Sequence, residues 1–203
     1  MKYTDHFALG RFVIDMYEID NKLQRAMFIW GNVIPDFDKL SYLQSYFRLK
    51  EGLYKNNERP SLNERRRLLI AGHTAEGSVH YVNKMSRGLM DKDKWSLYDW
   101  YRFGKTAHYV ADSFTHPHTL SYKEGFFAHV NYEEALHMRF TELLDRFSSK
   151  KCNLKELINK YLGGITFDSM YKAYRSEPAE VDTDCSYILA AVTKYVGYVM
   201  ARA

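Results

Sequence analysis

Four of the chain's eight histidines fall between His108 and Glu133. Asp112 follows His108 by four residues, and Glu133 follows His129 by the same interval. Residues four apart on a helix share a face, with Cβ atoms roughly 5–6 Å apart. Each pair therefore offers one ion an imidazole nitrogen and a carboxylate oxygen. Between the pairs, His116 and His118 flank Pro117 and add two imidazoles on a turn. Taken singly, either pair also fits a buried histidine–carboxylate hydrogen bond between helices, and Glu133 could be a surface residue like Glu134 and His137. Two pairs joined by a histidine-bearing turn point instead to a metal cluster. Nitrogen and carboxylate donors suit zinc first, with iron or manganese as alternatives.

The elements that must position these groups read as helices. Period-2 runs of β-branched residues are missing, and the four prolines, at 35, 60, 117 and 178, fall where loops are expected. A first helix is expected from a cap at Thr4 or Asp5, and a second over Asn21 to Trp30, stopped by Gly31. Gly31 to Asp36 then reads as a turn-rich loop. Leu40 to Lys55 has ambiguous spacing, and Asn56 to Pro60 reads as surface loop. Ser61 with Glu64 forms a capping-box signature for a helix to Ala71, and Gly72-His73-Thr74 breaks it before another helix to Leu89. Ser96 caps a long helix to Phe114, whose inward stripe holds Leu97, Tyr101, Gly104, His108, Ala111 and Thr115, with Asp112 at its edge. Further helices are expected over Ala128 to Arg146, from Asn153 to Gly163-Gly164, over Thr166 to Tyr174, and from Asp184 to Met200. The expectation is an all-α, single-domain bundle of about seven or eight helices spanning residues 1–203.

Composition agrees with a globular fold. Of 203 residues, 46% are apolar and 27% charged, enough for a sizeable core. No apolar run approaches the ~20 residues that span a bilayer. The N-terminal stretch lacks the apolar centre of a secretory signal, so a cytoplasmic location is expected. Cys152 and Cys185 could pair, but they fit a reducing compartment equally well, and they lack the spacing of a zinc knuckle. The formal charge of +4 is a mild excess. Arg65-Arg66-Arg67 reads as a solvated helix face.

The ordered set His108-x-x-x-Asp112, His118, His129-x-x-x-Glu133 resembles the zinc-dependent phospholipase C family, whose fold also serves single-strand-specific zinc nucleases. His6, the Gly31-Asn32-x-x-Pro35-Asp36 loop, and Gly72-His73-Thr74 with Gly77-Ser78 resemble that family's non-secreted bacterial branch. The resemblance implies two or three zinc ions. Asp36, His73 and His108 would hold one, with Asp112 bridging; His118, His129 and Glu133 would hold a second; His6 with Asp112 would hold a third. In the family's secreted members the N-terminal tryptophan completes that third site, and this chain has no such residue. Asp38 and His80 are the alternatives to Asp36 and His73. His116 would orient a ligand or serve only as a loop residue.

The implied function is a metal-dependent phosphoester hydrolase, phospholipase C-like, with water activated for attack on phosphorus and Asp36 placed to accept its proton. A phosphoester small molecule or phospholipid headgroup is the expected partner. No serine or cysteine nucleophile motif and no phosphate-cradling glycine loop is present. Two alternatives remain open: a single-strand nuclease on the same cluster, which needs aromatic platforms and cationic walls, and a helical metal-binding protein without turnover.

Overall fold

The computed structural model describes residues 1–38, 75–119, 122, 126–149 and 167–202. Among them the chain is all-helical, with no strand. Seven α-helices appear: α1 (Tyr3–Met16), α2 (Lys22–Val33), α3 (Ala75–Met90), α4 (Leu97–Asp112), α5 (Phe126–Ser148), α6 (Phe167–Tyr174) and α7 (Val181–Met200). Two 3-10 turns, Ile34–Asp36 and His116–His118, follow α2 and α4. The expectations for Leu40 to Lys55, Asn56 to Pro60, Ser61 to Ala71, Gly72-His73-Thr74, the Arg65-Arg66-Arg67 face, Cys152 and the helix from Asn153 lie outside the described residues.

Helix starts follow their caps. Asn21 accepts hydrogen bonds from the Leu23 and Gln24 N–H groups and opens α2. Ser96 and Asp99 exchange hydrogen bonds in a reciprocal box that opens α4. The start of α1 differs from expectation. Lys2, not Thr4 or Asp5, occupies the cap position, and the Asp5 carboxylate reaches back to accept from the Lys2 N–H at 3.1 Å. Asp5 also pairs with His137 of α5, which fixes α1 against that helix.

Two helices organise the rest. α7 is buried nearly all round, with Ile188, Leu189, Ala190, Ala191, Val196 and Val199 wholly enclosed, as a core helix must be. It packs on α1, α3, α4, α5 and α6. α4 packs on α1, α2, α3 and α7. Of its expected inward stripe, Gly104, His108, Ala111 and Thr115 are buried, whereas Leu97 is exposed. Asp112, expected at the edge, is wholly buried.

Gly31 does not stop α2. The helix continues to Val33 and passes directly into the Ile34–Asp36 turn, so the expected loop is helical. The glycine serves a helix crossing. A Cβ on Gly31 would lie 2.0 Å from the Tyr101 carbonyl oxygen of α4, and one on Gly104 would lie 1.9 Å from the Phe28 carbonyl oxygen of α2. Each backbone presses on the other at a point where no side chain fits. By contrast, a Cβ on Gly88 in α3 would meet nothing within 4 Å. Gly31→Ala and Gly104→Ala should each destabilise the fold by at least the upper end of the about 1–3 kcal/mol that overpacking costs. Gly88→Ala should stabilise it by up to about 1 kcal/mol through helix propensity alone. Denaturant unfolding of the three variants beside the parent checks both signs.

Candidate metal centre

α4 places His108 and Asp112 one turn apart on its buried face, with Nε2 and Oδ2 separated by 3.1 Å. α1 brings His6 to the other oxygen of the same carboxylate, where its Nε2 lies 3.1 Å from Asp112 Oδ1. The His6 and His108 rings stack with centroids 3.9 Å apart. The turn after α2 adds Asp36, whose Oδ1 is 3.8 Å from His108 Nε2. His6, Asp36, His108 and Asp112 thus form one group, with one donor atom from each lying within 4.8 Å of the others.

A second group of the same compactness holds His118, His129 and Glu133. α5 supplies His129 and Glu133, again one turn apart, at 3.3 Å. The His116–His118 turn supplies His118, whose Nε2 lies 3.7 Å from Glu133 Oε1 and whose Nδ1 lies 3.4 Å from Asp112 Oδ2. Asp112 therefore faces both groups.

Asn32 orients the first group. Its side-chain amide N–H donates to the His6 carbonyl at 2.5 Å, and its main-chain carbonyl lies 2.9 Å from His108 Nδ1. A carbonyl can only accept, so Nδ1 carries the proton and Nε2 is turned toward the carboxylates. Histidines that bind metals are commonly held in this way.

The charges are mutually dependent. Burial alone would push the Asp112 carboxyl up, but the Met1 amino group, His118, His108 and His6 outweigh it and hold it well below the ordinary range. Burial opposes charge on His108, yet Asp112 and Asp36 raise its pKa. Burial likewise opposes charge on His118, and Asp112 raises it to about 9. His6 moves the other way, lowered by burial and by His108 beside it. Burial works against the Glu133 charge, but hydrogen bonds to His118 and His129 lower its pKa.

Of the residues singled out in the sequence, His6, Asp36, His108, Asp112, His118, His129 and Glu133 converge in the two groups. His73 lies outside the described residues, as does the His80 side chain. Asp38 does not join; it lies 3.7 Å from Lys105 Nζ. His116 contributes its backbone N–H to Asp184. Glu134 is exposed and pairs with Lys2. Two participants carried no sequence signal. The Met1 amino group is buried 3.1 Å from Glu133 Oε1 and 3.5 Å from Asp112 Oδ1. Asp184 of α7 accepts hydrogen bonds from the His116 N–H and the Tyr132 and Tyr174 hydroxyls. Burial pushes its carboxyl up to about 6 against those three donors.

A family model described as zinc dependent phospholipase C matches residues 5–175, and the chain belongs to that family. Comparisons with curated proteins and with solved structures returned no match. The matched span includes every candidate ligand from His6 to Glu133 and ends before α7. The residues present fit the divalent zinc that the family uses. Asp36 Oδ2 and His6 Nδ1 are buried without a hydrogen-bond partner among the described residues, and the donors are imidazole and carboxylate throughout.

At neutral pH the metal-free centre holds a proton on His118 that a cation must displace. The folded pKa of about 9 lies above the ordinary 6.5, so this group's contribution to metal-free stability is complete below pH 6.5 and is lost as pH rises through 9. Zinc uptake at pH 7 should release protons, and affinity should climb toward pH 9. Calorimetric titration in two buffers of different ionisation enthalpy measures the release; identical heats in both would contradict it.

Proposed function

We propose that the chain is a zinc-dependent phosphoester hydrolase, phospholipase C-like, that binds two or three ions through the residues converging on Asp112. The observation that carries this reading is that convergence: a wholly buried carboxylate faced by three imidazole nitrogens from α1, α4 and the His116–His118 turn. Asp36 and His108 would hold one ion, with His73 as the further ligand and Asp112 bridging. His118, His129 and Glu133 would hold the second, and His6 with Asp112 a third. The Met1 amino group lies beside the last two groups of ligands.

Bound zinc would lower the pKa of a water toward neutrality and offset charge on the phosphate oxygens. The chain's own residues do the rest. Asn32 keeps the His108 proton on Nδ1. Asp36, with Oδ2 free of hydrogen-bond donors among the described residues, is placed to take the proton from the attacking water. Tyr3 and Phe37 are exposed and meet at 5.4 Å between centroids, and Phe37 is next in sequence to Asp36. They offer an apolar rim to the organic part of a phosphoester, whether phospholipid or nucleotide.

Elemental analysis of metal-replete protein should find two or three zinc ions per chain. Hydrolysis of p-nitrophenyl phosphorylcholine should exceed that of single-stranded DNA and of phosphomonoesters, and should vanish on chelation. His108→Ala and Asp112→Asn should each lose zinc, lower the melting temperature and cut kcat/KM by more than the about 100-fold that removing an outer-sphere partner costs. Wild-type zinc stoichiometry in both variants would refute the ligand assignment. Preference for DNA would favour the nuclease reading, and zinc without turnover on any substrate the non-catalytic one.

A further inference from the structure

The three donors of the second group come from two separate elements, the His116–His118 turn and α5. Besides the His118–Glu133 contact within the group, one carboxylate outside it bonds to both elements. Asp184 Oδ2 accepts from the His116 backbone N–H at 2.7 Å and from the Tyr132 hydroxyl at 2.8 Å. Tyr132 immediately precedes Glu133 and shares α5 with His129. The other oxygen, Oδ1, accepts from Tyr174 of α6 at 2.7 Å. Asp184 stands on α7, a helix of the core, and is itself wholly buried. The turn it holds is stiff: Pro117 fixes its backbone and is buried, and the His118 N–H bonds back to the Thr115 carbonyl. Displacing the His116 N–H would therefore carry the His118 ring with it.

We propose that Asp184 is a positioning residue for the His118–His129–Glu133 site, clamping the His116–His118 turn to α5 so that the three donors meet around one ion. This rests on the metal reading above and extends it to a residue beyond the family match, which ends at 175. An ionised carboxylate has the lone pairs to accept from three donors at once. An amide has one accepting oxygen, and its nitrogen cannot accept at all.

The test is Asp184→Asn beside Tyr132→Phe and Tyr174→Phe, each stripped of metal and titrated with zinc against a chelator of known affinity. The binding step that belongs to this site is identified by its loss in His129→Ala. In Asp184→Asn that step should weaken about 10–100-fold while the other is unchanged. Tyr132→Phe should weaken the same step by a smaller factor. Tyr174→Phe removes a donor from the same carboxylate on an element without candidate ligands, so it should lower the melting temperature and leave both affinities intact. Should Asp184→Asn fail to fold, Tyr132→Phe against Tyr174→Phe decides. Unchanged affinities in Asp184→Asn, equal weakening of both steps, or a Tyr174→Phe loss as large as that of Tyr132→Phe would overturn the inference while leaving the metal reading in place. A parent protein that takes up no zinc would overturn both.

Discussion

The structure depends on one ion, the carboxylate of Asp112. Burying it unpaired would cost several kcal/mol or more. It lies beneath the surface with His6, His108, His118 and the Met1 amino group within 3.5 Å of its oxygens. Those groups come from α1, α4, the turn after α4 and the chain's first residue. The carboxylate is therefore a meeting point for elements far apart in sequence. It cannot be removed without leaving the buried His118 imidazolium and the Met1 amino group facing each other, and they cannot move without stranding a buried anion.

Packing and site geometry are coupled through the α2–α4 crossing. Gly31 and Gly104 let two backbones touch. That contact brings Asn32 near enough to bond both His6 and His108. Asn32 is thus a hinge between helix packing and imidazole orientation: its amide holds α1, and its carbonyl holds a ring on α4. A side chain at either glycine would separate the helices and pull the carbonyl from His108 Nδ1. Asp184 makes a similar connection on the far side, between the core helix and the His116–His118 turn.

What could be read in the sequence was whatever lay within one helix or one turn. The pairs His108/Asp112 and His129/Glu133 announce themselves because four residues make one helical turn, and both pairs stand in the structure as spaced. Ser96 marks the start of α4 for the same local reason. Gly31 was misread because a glycine that ends a helix and one that lets another helix approach look alike in one dimension; only Tyr101 distinguishes them. The spacing puts the start of the last helix at Asp184, whereas the helix begins at Val181 and places Asp184 inside, facing partners 52 and 68 residues away. The Met1 contribution is a main-chain nitrogen, to which no side-chain pattern can point.

Charge balance links the centre to its proposed substrate. Without a metal, Asp36, Asp112 and Glu133 confront the imidazoles, and the proton on His118 and the charged Met1 amino group supply compensating charge. Two divalent ions would take over that role, and the imidazoles would bind them in neutral form. Four positive charges would then meet three carboxylates, leaving the centre net positive by about one before the Met1 amino group is counted. Such a site attracts a phosphodiester, which carries one negative charge, and gains further as charge builds on the phosphoryl oxygens during attack. A purely structural zinc site is organised differently: four ligands close around one ion and leave no open position. The excess of donors around Asp112, shared between two groups and fed from five elements, suits the proposed centre, in which several cations would still have charge to offer a substrate.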